Sequence, residues 1–296
     1  MILILGSGYI GQAFARELKS RKLDHAVLSR GEFDCTHFGT LSARLTLKCP
    51  ELLINAAGFC GQPNVDEVET RQADAILSNV VLPRVVADAC ALMQIPWIHT
   101  SSGCVYDSAH CHQPPEGFSE NDTPNFSFRN PPCSFYSGTK SLAEEAIAGS
   151  SNCWICRLRL PFNEVPGPKN LLTKLQEYVQ IYDSPPNSLS HLGDAVRACV
   201  DLWEKKASPG IYNVTNPGAV TNREIAGLIK RILNPMRDFQ WWQDEATFYR
   251  FGAKAPRSNC ILSTAKLEAA GIKLRPVMEA LTWSLEHWQN RSSVGS

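Results

Sequence analysis

The sequence predicts an α/β fold, a doubly wound parallel sheet joined to a smaller, mostly helical C-terminal lobe. Three observations carry that expectation. The chain opens on an apolar run, a glycine-rich turn and an amphipathic stretch, "MILILGSGYIGQAFARELKSR". Apolar segments of strand length then alternate with helix-period segments, the pattern of right-handed βαβ units. After Pro161 the alternation loosens and helical patterns dominate.

In the opening unit Ile10, Phe14 and Leu18 recur every four residues, so one helix face is apolar. "DHAVLSR" reads as the second strand and "ELLINAAG" as a third that ends in small residues. "DAILSNVVLPRVVADACAL" is a helical stretch with an internal proline, and "IPWIHTSS" is again a strand. Residues 108–133, rich in Pro, Ser, Asn and His, form a long loop of the kind that walls or covers a site. "SFYSGTKSLAEEAIAG" returns to helix and "CWICRLRL" to strand. Beyond the loop "PFNEVPGPKN", "LLTKLQEYVQI" reads as a helix, while "GDAVRACVDLWEK" and "GIYNVTN" read as one more helix and strand of the main sheet. The expected division is residues 1–160 with 189–215 as the dinucleotide-binding domain, and 161–188 with 216–296 as a substrate lobe. The tail "NRSSVGS" is expected to be disordered.

Hydrophobic residues make up 44% and charged residues 20% of the 296 positions, a globular composition without a long charge block. Lys plus Arg and Asp plus Glu number 29 each, so no global field favours nucleic acid or an anionic membrane, and a small-molecule partner is expected. Met1 leads straight into "ILILGSG" without the features of a signal peptide, and no stretch approaches the roughly 20 apolar residues that span a bilayer. The expected location is therefore cytoplasmic. Eleven cysteines without framework spacing, often inside apolar runs as at Cys90, Cys199 and Cys260, read mostly as buried thiols of a reducing compartment. Cys153-Trp-Ile-Cys156 has redox-motif spacing but lies in a strand pattern. His110-Cys111-His112 has no second cluster to complete a site, so no metal is expected.

Gly6-Ser-Gly8-Tyr9-Ile10-Gly11 is G-x-G-x-x-G between a strand and a helix. The first glycine makes the turn, the second admits a pyrophosphate, and the third lets helix and strand pack closely. Free amides at the helix start suit the phosphates. The second strand ends about 20 residues on, where an acid selects NAD and an arginine receives the 2′-phosphate of NADP. Ser29 and Arg30 stand there, which favours NADPH over NADH. The alternative is a solvated Arg30, with Glu32 as the acid if the strand runs further.

Tyr136 and Lys140 in "YSGTK" are four apart and share one helix face. An ammonium beside a phenol lowers the phenol's pKa towards neutrality and makes it a usable acid or base. With "GSGYIG", "NAAG" and "SSGCVY" in order before it, this stretch resembles the extended short-chain dehydrogenases/reductases, a Rossmann-type family acting largely on nucleotide sugars. The resemblance implies Tyr136 as acid/base, Lys140 on the nicotinamide ribose, and Ser102 as the hydroxyl partner. It also implies Ala56, Ala57 and Gly58 against the cofactor, and a possible homodimer.

Cys104, in "HTSSGCVYD", sharpens the resemblance. A cysteine there is similar to GDP-fucose synthases and to the bifunctional nucleotide-4-keto-6-deoxyhexose 3,5-epimerase/4-reductases of the UDP-rhamnose synthase type. Plain dTDP-4-dehydrorhamnose reductases lack it. "NAAGFCGQPNVDEVE", "GFSENDTPNFS", "GPKNLLTK", "GIYNVTNPGAVTNREI" and "APRSN" resemble the bifunctional group in its order. A 4-ketone acidifies the C3 and C5 protons, so a thiolate can remove each and an acid on the opposite face can return it. The resemblance implies Cys104 as that base, Lys174 as the acid, and Arg257 on a UDP or dTDP diphosphate. Gln62, Asn64, Asn170, Asn187 and Ser188 are implied for the substrate wall. "RNPPC" and "PFNEVPG" depart from the plant pattern. Two other readings stay open: a 4-reductase with Cys104 merely buried, and a non-catalytic dinucleotide-binding sensor.

Overall fold

The computed structural model describes residues 1–29, 31, 34–109, 114 and 116–289. The first half comprises β1 (Ile2–Leu5), α1 (Tyr9–Ser20), β2 (His25–Leu28), α2 (Phe38–Lys48), β3 (Leu52–Asn55), α3 (Gln72–Ile76), α4 (Leu82–Met93), β4 (Trp97–Ser102), α5 (Phe135–Ala146) and β5 (Cys153–Leu158). The second half comprises α6 (Leu171–Glu177), β6 (Gln180–Ile181), β7 (Asn187–Leu189), α7 (Leu192–Glu204), β8 (Gly210–Asn213), β9 (Asn216–Val220), α8 (Asn222–Ile232), β10 (Gln240–Trp241), α9 (Glu245–Phe251), α10 (Ala265–Ala269) and α11 (Val277–Glu286).

The main sheet runs β2-β1-β3-β4-β5-β8, and every neighbouring pair is parallel. It is a Rossmann-type doubly wound sheet. The strands are apolar on both faces because both are covered. One face carries Phe14 and Leu18 of α1 with Ala195 and Cys199 of α7, and the other carries Leu41 and Leu45 of α2 with Leu82 and Val86 of α4. Cys153 and Cys156 fall in these two opposite clusters, so "CWIC" is a core strand rather than a redox turn. A third core gathers Phe162, Leu175, Ile181, Ile225, Ile229 and Leu281 beneath the C-terminal helices.

Two local expectations change. The "LLTKLQEYVQI" helix stops at Glu177, because Tyr178 turns extended (φ −63°, ψ 135°) and Ile181 pairs with Trp241 to bury itself in the third core. The proline-bearing helix is continuous, with a π-helical turn over Leu77–Val81 just before Pro83. Proline has no N–H to give the preceding turn, and a wider turn absorbs the missing bond. This same helix, Gln72–Met93, corrects the reading that no segment has the length and apolarity of a membrane span: its mean hydropathy is 1.6 over the required length. Its apolar residues have a destination here, since Leu82, Val86, Ala87, Ala89 and Cys90 pack on the sheet.

Parallel strands all end at one edge of the sheet. The chain reverses its winding between β1 and β3, and such switch points open a crevice beyond the strand ends where ligands bind. Gly6, Ala56 to Gly58, Ser102 and Arg159 all emerge there.

Candidate active site

The glycine turn is shaped by close approach. Gly6 has φ +99°, a conformation that side chains rarely adopt, and a Cβ on it would lie 2.9 Å from the Ala57 backbone. A Cβ on Gly11 would lie 1.8 Å from the Gly6 carbonyl oxygen, so only glycine lets α1 seat on β1. Gly8 differs: nothing lies within 4 Å of its Cβ position, and it caps α1 without a side-chain bond. The first amides of α1 therefore face open space, a cradle that fits a dinucleotide's pyrophosphate. Ile10 packs into the core and has only its amide to offer. The Tyr9 hydroxyl is committed, donating to Asn163 Oδ1 at 2.9 Å. Ser29 follows β2 as expected, whereas Arg30 and Glu32 lie outside the described residues, as do His110, Cys111, His112 and the tail beyond Gln289. Among the described residues no group of three or more His, Cys, Asp or Glu could hold a metal ion.

The Ala56–Gly58 segment is braced from below. Asn55 Oδ1 accepts from the Ala57 amide at 3.2 Å, and Asn55 Nδ2 meets His99 Nδ1 at 3.2 Å. Burial, reinforced by the Lys140 charge, holds His99 well below the usual histidine pKa, so it stays neutral. Asn79, in the π-helical turn, accepts from the Phe59 amide at 2.7 Å and donates to Thr139 of α5 at 3.1 Å. It ties the cofactor loop to the helix that carries Tyr136. The sequence had not singled out Asn79; an amide inside an apolar helical run was the available signal.

Ser102, Tyr136 and Lys140 come together across the ends of β4 and α5. Lys140 is buried, with Nζ donating to the Thr100 carbonyl at 2.9 Å. The net shift of the phenol is upward, and its largest cause is burial rather than a neighbouring charge. Burial pushes Tyr136 well above the ordinary tyrosine value, the charges of Cys104 and Cys60 add to this, and only a Ser102 hydrogen bond and Arg159 oppose it. Burial also lowers the pKa of Lys140 from the ordinary lysine value. Tyr136 is thus a proton donor across neutral pH.

Cys104 sits in a 3-10 turn over Gly103–Val105, and its amide donates to Ser102 Oγ at 3.3 Å. Its side chain is 6% exposed and lies near Tyr136, Lys140 and Cys133. A buried polar network holds this turn. Arg157 pairs with Glu144 at 2.6 Å and donates to the Tyr106 hydroxyl at 2.8 Å, while Ser101 donates to Glu144 at 2.5 Å. Glu144 lies one helical turn beyond Lys140, so the network locks α5 against β4, β5 and the Cys104 turn. Arg157 and Arg159, alternating within an otherwise apolar strand, were a legible but unread signal. Glu144→Gln leaves Arg157 buried without a counter-charge, and chemical denaturation is expected to show a loss of about 3–5 kcal/mol.

Lys174 is half-buried rather than a surface charge of α6. Burial lowers its pKa from the ordinary lysine value, and the Lys169 and Arg257 charges lower it further against the Cys60 charge. Arg257 lies in the same region but is engaged: its guanidinium forks onto Asp66 at 2.8 and 2.9 Å, and Asp66 also accepts from the Lys254 and Ala255 amides. Asn64, Asn187 and Arg257 line a cleft of about 380 Å³ with Tyr178, Tyr182 and Trp242. Gln62 is exposed, and its backbone amide donates to Glu67 Oε2 at 2.6 Å. Asn170 and Ser188 do not line this cleft. Asn170 caps α6 through Leu172 and donates to Asn163 and Val165, and the buried Ser188 hydroxyl accepts from the Leu262 amide at 3.0 Å. Both side chains spend their polar atoms on loop structure.

A glycine cradle at the switch point with serine, tyrosine and lysine beyond β4 defines a Rossmann-fold protein of the short-chain dehydrogenase/reductase class. More narrowly, the chain belongs to the family described as RmlD substrate binding domain, which it matches over residues 1–290. It is 34% identical over 235 residues to the bifunctional dTDP-4-dehydrorhamnose 3,5-epimerase/dTDP-4-dehydrorhamnose reductase of Arabidopsis thaliana, covering 78% of this chain and 75% of that one. A trifunctional UDP-glucose 4,6-dehydratase/3,5-epimerase/reductase of the same plant is 32% identical, and the matched region is 34% of its length, about a third. Among solved structures, a UDP-rhamnose synthase from Acanthamoeba polyphaga mimivirus superposes with TM-score 0.86 at 23% identity, over 97% of this chain and 99% of that one. A Bacillus anthracis dTDP-4-dehydrorhamnose reductase solved in complex with NADP gives TM-score 0.80 at 21% identity, over 97% of each chain.

Proposed function

We propose that this protein is an NADPH-dependent oxidoreductase that reduces the 4-keto group of a nucleotide-linked 4-keto-6-deoxyhexose, and that it also epimerises C3 and C5. The product would be a nucleotide-linked L-rhamnose-type sugar. The carrying observation is that Cys104 lies beside Ser102, Tyr136 and Lys140, with Cys60 near both Tyr136 and half-buried Lys174. Support for the reductase comes from the family and from the reductase names of the relatives. The two-lobe division at residues 1–160 with 189–215, against 161–188 with 216–296, belongs to this reading, and the separate C-terminal core supports it.

When bound, NADPH supplies the hydride that reduces C4. Ser102 would hold the C4 oxygen by a hydrogen bond while Tyr136, protonated at neutral pH, gives that oxygen its proton. Lys140 would hold the nicotinamide ribose. Before reduction, the Cys104 thiolate would take the acidified C3 and C5 protons, and the Lys174 ammonium would return a proton on the opposite face. Arg257 is suited to the diphosphate as a forked donor, sharing or exchanging its Asp66 contact. Asn64 and Asn187 would line the wall. The burial of Cys104 favours a second reading, reduction alone of a substrate epimerised elsewhere.

One assay separates the two. Protein, NADPH and UDP-4-keto-6-deoxyglucose are incubated in heavy water, with the dTDP analogue in parallel, and the product is read by NMR. Deuterium at C3 and C5 of a rhamno-configured product is expected. NADPH consumption without that deuterium leaves the reductase alone, and cofactor binding without turnover leaves a sensor. The pH profile of the exchange should also fall at its basic limb below the ordinary lysine range of about 10.4, since Lys174 loses its proton early. A basic limb unmoved in Lys174→Arg would remove Lys174 from the acid role.

A further inference from the structure

The loop after β3 carries a thiol that the proposed reaction does not use. Cys60 lies two residues beyond Gly58 and is half-buried. Lys169 reaches it from 109 residues away, donating from Nζ to the Gly61 carbonyl and, at 3.3 Å, to Cys60 Sγ. Lys169 precedes α6, so the pair spans from the cofactor side of the crevice to the substrate lobe. Cys49, Cys156 and Cys260 direct their thiols to backbone carbonyls instead. The pair also borders the reactive cluster, because the Cys60 charge is felt by Tyr136 and by Lys174.

We propose that Cys60 and Lys169 are an oxidative modification site, at which a peroxide drives formation of a covalent sulfur–nitrogen bridge between the two side chains. The sulfur attacks one peroxide oxygen, the O–O bond breaks, water leaves, and the sulfur is oxidised by two electrons to a sulfenic acid while the peroxide is reduced. The Lys169 ammonium gives one proton to solvent, and the free amine then attacks that sulfur. The S–N bond forms as the S–O bond breaks, and the leaving hydroxide departs as water with a proton from the amine. Thiol, amine and hydrogen peroxide thus give one sulfenamide and two waters.

The geometry supplies what the second step needs: a nitrogen already in contact with the sulfur, on a flexible four-carbon stem. A sulfenic acid without such a neighbour persists or oxidises further. The bridge would fasten the Gly58–Gly61 loop to the segment entering α6. It would also abolish the Lys169 positive charge, one of the charges that depress Lys174. Oxidation would therefore reach the active site through both shape and charge.

The test reads mass and needs no turnover, so it stands apart from the fate of the reductase reading. The full chain is treated with hydrogen peroxide, alkylated with iodoacetamide under denaturing conditions, and digested without reductant. The expected product is a Cys60 peptide joined to a Lys169 peptide, about 2 Da lighter than their sum and released by dithiothreitol. Lys169→Arg, which keeps a donor for the sulfur, should lose the joined peptide. Recovery of Cys60 as an alkylated thiol while Cys49 is oxidised overturns the proposal. So does recovery of Cys60 as a sulfinic acid or in a disulfide.

Discussion

Tyr136→Phe is expected to lower the turnover number for ketone reduction by about 10²- to 10⁴-fold, the usual worth of a positioned general acid. The substitution removes one hydroxyl from a half-buried ring on the first turn of α5. The ring itself stays, so unfolding stability and NADPH affinity should change little. The direction of the Tyr136 pKa adds a second expectation. Burial holds the phenol above its ordinary value, so the proton-donating form persists through neutral pH and reduction should show no acidic-to-neutral loss from this group. Steady-state kinetics on an epimerised 4-keto sugar isolates the step. Turnover within a few-fold of the unaltered protein would remove Tyr136 as the acid.

Cys104→Ser is expected to abolish deuterium incorporation at C3 and C5 while sparing reduction of a substrate supplied already epimerised. A hydroxyl is nearly isosteric with a thiol, but its ionised form is inaccessible near neutral pH, so the base disappears without a cavity. Because Ser102 holds the residue-104 amide and the Arg157–Glu144 network holds the following residues, the turn should keep its shape. Exchange measured by NMR against hydride transfer measured by NADPH absorbance gives the split. If exchange survives, the thiol is a packing residue and the chemistry reduces to the 4-ketone.

The local motifs were legible because their physics is local. Glycines at 6, 8 and 11 and the Tyr136 to Lys140 spacing each state a backbone or helix-face requirement within one turn of chain. The strand-helix alternation likewise announced the sheet. The partner of a charged group was not legible. Arg257 read as a diphosphate ligand, and its pairing with Asp66, 191 residues earlier, appears only when the loops fold together. Asn170, implied for the substrate wall, stands just before α6, where it caps the helix and donates to the neighbouring loop, a role that its spacing did not announce. The shared face of Tyr136 and Lys140 is legible from spacing, whereas the direction of the Tyr136 pKa is set first by burial, which spacing does not report.

From residue order alone, this chain reads as a dinucleotide-binding α/β protein with a tyrosine and a lysine on one helix face, since short-range sterics and helix periodicity state those requirements within one turn of chain. Folding determines which side chains share a site. It buries Glu144 of α5 against Arg157 of β5, places Lys174 among the Lys169 and Arg257 charges, and carries Lys169 onto Cys60. The Glu144–Arg157 and Cys60–Lys169 contacts join residues 13 and 109 positions apart, so they are set by how the sheet, its helices and the loops pack together.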